Sequence, residues 1–112
     1  MPTVVPRFEP SRTNGLRGSV YYRIYYGHNR RIEFSSGISI ASHRWDKAKG
    51  MINGDDDESA ALREKIAADI TAIEKILETR KAQKDMFGTD YAISDVVTEF
   101  KEQKKKHDSK NG

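Results

Sequence analysis

The chain contains no cysteine, which excludes disulfides and thiol chemistry. It also lacks any apolar run long enough to cross a bilayer, and nothing in it resembles a signal peptide. A cytoplasmic protein with no membrane partner is therefore expected. Residues that could form an enzyme site are scarce. The three histidines, His28, His43 and His107, have no partner at metal-ligand or triad spacing and read as surface histidines. The acidic run Asp55-Asp56-Asp57-Glu58 lacks the alternating spacing and internal glycine of a calcium loop. It reads as the start of a helix. Gly15, Gly18 and Gly27 do not make a phosphate-cradling loop between strand and helix. No catalytic residue, metal or cofactor is expected, and there are no internal repeats or long low-complexity segments.

What is present is charge, unevenly placed. Over 112 residues, 33% are charged against 36% hydrophobic, so only a small core is available, enough for one modest domain and the start of another. The net +3 conceals an asymmetry. Residues 1–54 hold nine Lys/Arg and three Asp/Glu, and residues 55–112 hold eleven and fourteen. The basic excess of the first half is mostly arginine: Arg7, Arg12, Arg17, Arg23, Arg30, Arg31 and Arg44. A guanidinium offers a planar fork of donors that suits phosphates and guanine edges.

The same half has the alternation of strands. Thr3 to Glu9 places Val4 and Phe8 on one face and Val5 and Arg7 on the other; Pro6 sends this strand to a sheet edge or keeps it short. Pro10 to Gly18 is a turn-rich connection that includes Asn14-Gly15 and holds Arg12 and Arg17. Ser19 to Gly27 then puts Val20, Tyr22, Ile24 and Tyr26 on one face and Tyr21, Arg23 and Tyr25 on the other. Gly27-His28-Asn29 is a hairpin loop. Arg30 to Ser36, extended through Gly37 to Ile40, places Ile32 and Phe34 inward and Arg31, Glu33 and Ser35 outward. Ala41 to Gly54 reads as an ordered connection with Trp45 capping one end of the core.

From the acidic run to about Lys84, Leu62, Ile66, Ile70, Ile73 and Leu77 recur at helical spacing, widened by Ile76. Arg63, Glu64, Lys65, Asp69, Glu74, Lys75 and Glu78 fall on the outward face. Residues 85–92, with Gly88 and Asp90, break the pattern. Ser94 then offers a cap for a second helix carrying Ile93, Val96, Val97 and Phe100. That helix has no evident partner in the chain and ends in Lys104-Lys105-Lys106 and a polar tail. Residues 91–112 are therefore expected to be mobile or marginally helical. The fold expected is α+β: a three-stranded antiparallel sheet packed on one long C-terminal helix, with a partial second helix.

A solvated sheet face usually carries Lys, Glu, Thr and Ser. Tyrosines flanking arginines suit something flat and negatively charged, and a small sheet can enter the DNA major groove and read base edges with alternate side chains. Arg23 and Arg31 are the candidates for guanine. Tyr21, Tyr25 and Ser35 suit phosphates or thymine methyls, and Arg12 and Arg17 suit phosphates. The competing reading is that Tyr21 and Tyr25 only stabilise the sheet by cross-strand pairing. A protein-interaction module using the same Tyr/Arg face is the alternative function.

The segment Gly18 to Ile40, then Trp45-Asp46 and Lys49-Gly50, then the long Ile-rich helix, resembles the amino-terminal arm-type DNA-binding domain of tyrosine recombinases, the integrases of phages and conjugative transposons. The resemblance covers nearly all of the chain. It implies residues 1–84 as an arm-type DNA-binding domain, 85–92 as a linker and 93–112 as the start of a helical core-binding domain. It also implies a sheet docked in the major groove of accessory arm-type sites, with Tyr21, Arg23, Tyr25, Arg31, Glu33 and Ser35 facing the groove and Arg7 alongside; Arg30, at the start of the third strand, is a further DNA-binding candidate. Double-stranded DNA is the partner implied, with other recombinase protomers or accessory factors as further partners in a full-length protein. The carboxy-terminal catalytic domain of that family is not in this sequence, so DNA binding without cleavage is expected.

Overall fold

The structure is a computed structural model that describes residues 2–13, 15–27 and 29–111, with side chains as far as Lys105 at the C-terminal end. Asn14 and His28 lie outside the described residues, so the turn and hairpin expectations at those two positions go with them. The side chains of Lys106 and His107 also fall outside. The chain divides into two compact units, residues 1–70 and 71–112.

The first unit is built on three antiparallel strands in the order β1-β2-β3: β1 (Thr3–Pro10), β2 (Arg17–Tyr25) and β3 (Arg31–Ala41). β1 is an edge strand, as Pro6 requires. Strand β2 begins two residues earlier than the alternation predicts and takes in Arg17, which the sequence pattern places in the connection. The register pairs Val4, Pro6 and Phe8 with Ile24, Tyr22 and Val20, and pairs Ile32 and Phe34 with Ile24 and Tyr22. Alternation therefore collects the apolar side chains on one face. Val20, Tyr22 and Ile24 are fully buried there, with Phe34, Ile38 and Ile40 nearly so.

Two glycines permit this sheet. A Cβ on Gly18 would lie 2.2 Å from the Glu9 carbonyl oxygen and 2.5 Å from the Phe8 ring, so β1 can approach β2 only where the side chain is absent. Gly37 adopts φ +80° inside a bulge, where the register jumps from Tyr21↔Ser35 to Val20↔Ile38. Ser36 repairs the interrupted ladder. Its hydroxyl donates to the Val20 carbonyl at 2.6 Å and accepts from the Ile38 amide at 3.0 Å. Two residues are inserted, an even number, so Ile38 and Ile40 still point inward.

Residues 41–54 are more regular than expected. A single 3-10 turn (Ser42–Arg44) leads into a two-stranded ribbon, β4 (Trp45–Asp46) and β5 (Met51–Ile52). The Trp45 ring stacks on Phe8, with centroids 5.9 Å apart. Helix α1 (Asp57–Phe87) follows. Asp56 caps it: its carboxylate accepts from the Ser59 amide at 3.2 Å and from the Ser59 hydroxyl at 2.8 Å. Those bonds from Ser59, with Arg44 nearby, hold the Asp56 carboxyl down at about 2. Arg44 reaches both Asp56 and Ser59, and Arg63 donates to the carbonyls of Ile52 and Gly54. Two arginines counted in the basic excess or on the outward helical face thus serve the fold.

The first half of α1 lies over the inner sheet face. Ile66 is fully buried, and the Tyr22 hydroxyl donates to Asp69 at 2.6 Å. Helical spacing places Asp69 on the outward face; it is half-buried instead. A strand tyrosine on the apolar face needs an acceptor beneath the helix, and helical periodicity does not show that need. Burial and the Asp69 carboxylate together push the Tyr22 phenol far above its ordinary range.

The second unit pairs the C-terminal half of α1 with α2 (Ile93–Asn111). Ile73, Ile76 and Leu77 on α1 and Ile93, Val96, Val97 and Phe100 on α2 are buried. Arg80 and Glu99 form an ion pair between the helices at 3.5 Å. The expectation of a partnerless second helix is therefore corrected. One helical stripe served the sheet over its first half and α2 over its second. Nor does Ser94 cap α2. Asp95, at the third helical position, accepts from the Ala92 amide at 3.3 Å, the carboxylate half of a capping box.

Three outcomes are expected from this arrangement. Tyr22→Phe keeps the ring and removes its hydrogen bond to the part-buried Asp69 carboxylate, so chemical denaturation should show a loss of about 1–3 kcal/mol. Val96→Asp should lower the melting temperature and the helical circular-dichroism signal, because it buries an unpaired charge; Glu102→Ala should change neither. The Asp56 pKa is lower folded than unfolded, so its stabilisation is complete above pH about 4 and is lost as pH falls toward about 2. Acid titration of Asp56→Ala should show that portion of the parent's acid sensitivity removed.

Candidate nucleic-acid interface

The inner face of the sheet is occupied, so the outer face is what the first unit offers. Its register brings the sequence-expected residues together. Arg7 pairs with Tyr21, Tyr21 with Ser35, Arg23 with Glu33, and Tyr25 with Arg31. Arg7, Tyr21, Arg23, Tyr25, Arg31, Glu33 and Ser35 therefore share one surface spanning all three strands. Arg17 and Ser19 extend it along β2 by the same alternation. Arg12 and Arg30 lie off the sheet, exposed in the β1–β2 connection and the β2–β3 loop.

At the centre of this face Arg23 is held from two sides. Its guanidinium forms an ion pair with Glu33 across the strand, donating through both Nε and Nη2. It also donates through Nη1 to the Tyr25 hydroxyl at 3.0 Å, and it lies 5.7 Å from the centre of that ring. Its side chain is only 10% exposed. Sequence pattern identified the face but not this enclosure, because strand alternation says which side a residue takes and not what shields it there. Arg31 differs. It is exposed at the end of β3, and its side chain has no hydrogen bond or ion pair among the described residues.

The electrostatics of the face are positive. The Arg23 hydrogen bond holds the Tyr25 phenol below its ordinary value, with the charges of Arg23, Arg7 and Arg31 adding to the effect. The face carries two acids, Glu33, which Arg23 neutralises, and Glu9, which pairs with Ser19, against the guanidinium groups of Arg7, Arg17, Arg23 and Arg31. A face of this kind presents donors, aromatic edges and uncompensated guanidinium charge, a combination that suits an anionic polymer with hydrogen-bonding edges. Among the described residues no group of His, Asp and Glu is arranged to hold a metal ion. None of the described helices is long and apolar enough to cross a membrane.

Comparison with known proteins agrees with the geometry. No curated protein and no solved structure matches the chain. The profile of one family, described as an arm DNA-binding domain, matches residues 11–94. That span holds β2, β3, the β4–β5 ribbon and all of α1, and it is well over half of the 112 residues. The chain belongs to the arm DNA-binding domain family and is a DNA-binding module.

Proposed function

We propose that the protein binds duplex DNA sequence-specifically, laying the outer face of its sheet in the major groove at the accessory, arm-type sites of a site-specific recombinase of the tyrosine-recombinase class. The observation that carries this reading is the shared surface of Arg7, Tyr21, Arg23, Tyr25, Arg31, Glu33 and Ser35, backed by a helix that leaves no other sheet face available. Three strands at about 4.8 Å spacing make a ribbon about 10 Å across, and the major groove is about 12 Å wide.

The geometry divides the labour. Arg31, exposed and unpaired, suits bidentate contact with guanine O6 and N7. Arg23, clamped by Glu33 and Tyr25, orients those two groups, and its own contact with a guanine requires exchange of the Glu33 pair. Arg12, Arg17 and Arg30 suit phosphates, which position the domain without specifying sequence. The match to the family profile ends at residue 94, which supports reading residues 93–112 as the start of a helical core-binding domain.

The test is binding on a duplex selected from a random pool and on its scrambled counterpart, across several salt concentrations. Arg31→Ala should weaken the selected duplex roughly tenfold or more and relax preference at one base position. Arg12→Ala and Arg17→Ala should weaken both duplexes evenly and flatten the salt slope by about one unit each. A folded Arg31→Ala variant that binds both duplexes as the parent does, with a shallow salt slope throughout, would transfer this face to a protein partner.

A further inference from the structure

We propose that the groove along the free edge of β1, between Arg7 and Lys47, binds the phosphodiester backbone of the duplex as a second contact surface beside the sheet face. The inference rests on the sheet-face reading above and extends it around the edge of the sheet.

The groove is lined by Pro6, Arg7, Phe8, Trp45, Lys47 and Gly50. An adjoining hollow shares Arg7, Phe8, Trp45 and Lys47. Both linings carry two cations and no acid. The side chains of Arg7 and Lys47 have no hydrogen bond or ion pair among the described residues, and neither does the Trp45 indole. Two uncompensated cations lining one groove with an indole are suited to phosphate oxygens.

The wall of the groove is fixed. Phe8 and Trp45 stack with 20° between their planes, so the indole is held by the sheet. The turn carrying Lys47 is fixed as well. The Asp46 carboxylate accepts from the amides of Ala48 and Lys49 at 3.0 and 3.1 Å, and the Gly50 amide closes onto the Asp46 carbonyl at 2.8 Å. Gly50 takes φ +63°, which a side chain would oppose. Lys47 is thus presented from a pre-ordered loop and loses little backbone freedom on binding.

The position of the groove agrees with the shape of DNA. A ribbon about 10 Å across in a groove about 12 Å wide sets its edge strands against the phosphate ridges. β1 is one such edge. Arg7 pairs with Tyr21 on the outer face and also lines the edge groove, so it joins the two surfaces into one continuous basic path.

The deciding experiment measures binding of the parent, Lys47→Ala, Lys65→Ala and Arg31→Ala to the selected and scrambled duplexes at several salt concentrations, with melting checked for each. Lys47→Ala should weaken both duplexes by the same factor and lower the salt slope by about 0.9, the value for one phosphate contact. Lys65→Ala removes the same charge from α1 and should leave both quantities at the parent's values. If Lys47→Ala binds as the parent does while Arg31→Ala still loses affinity, the groove is not a phosphate site and the sheet-face reading stands. If Lys47→Ala and Lys65→Ala lower the slope equally, net charge and not the groove is responsible, and the proposal fails. Failure of Arg31→Ala to lose affinity counts against the sheet face itself.

Discussion

The buried phenol of Tyr22 joins sheet and helix in the first unit. It projects from the centre of β2 into the apolar face, meets Phe34 edge-on at 5.8 Å, and ends in a hydrogen bond to Asp69. A three-stranded sheet cannot remain solvated on both faces and fold, so one side must be covered. Tyr22, with Ile66 beside it, fixes which side that is. Every residue of odd number from Arg17 to Tyr25 is thereby turned outward, and the charged face follows from the burial of the apolar one.

The outward face has its own internal order. Arginine at the middle of a strand would ordinarily sample many rotamers. Here Glu33 and Tyr25 hold Arg23 in one of them, so the centre of the face is set before anything binds. The free charge lies toward the periphery, at Arg7 and Arg31. A paired centre and an unpaired rim leave the uncompensated charge on the side chains that are free to reach a partner.

Several charged residues turn out to hold the scaffold. Arg44 and Arg63 fasten the start of α1 to the segment before it, and Asp56 caps the helix. The acidic run at residues 55–58 is thus explained by helix-end electrostatics, in which carboxylates complement the unpaired amides of the first turn. With Arg44 taken by the scaffold, the other cations of residues 1–54 lie on the sheet face, in the β1–β2 connection, in the β2–β3 loop and in the β4–β5 turn.

By itself the sequence determined the three strands, their inward and outward residues, the edge position of β1 and the long helix, because periods of 2 and 3.6 are written directly in the order of side chains. The candidate face was legible for the same reason: Tyr21, Arg23, Tyr25, Arg31, Glu33 and Ser35 share a parity. Tertiary structure alone decided what lies across space. It gave Tyr22 an acceptor in Asp69, 47 positions away, closed Glu33 and Tyr25 around Arg23, and set Trp45 on Phe8 to wall the groove at Lys47. It also gave α2 a buried face where none was expected, since Ile73, Ile76 and Leu77 belong to a stripe that reads as continuous with the part over the sheet. Periodicity records which side of an element is apolar; it does not record what that side will meet, because contacts between distant segments depend on how the elements pack and not on their spacing along the chain.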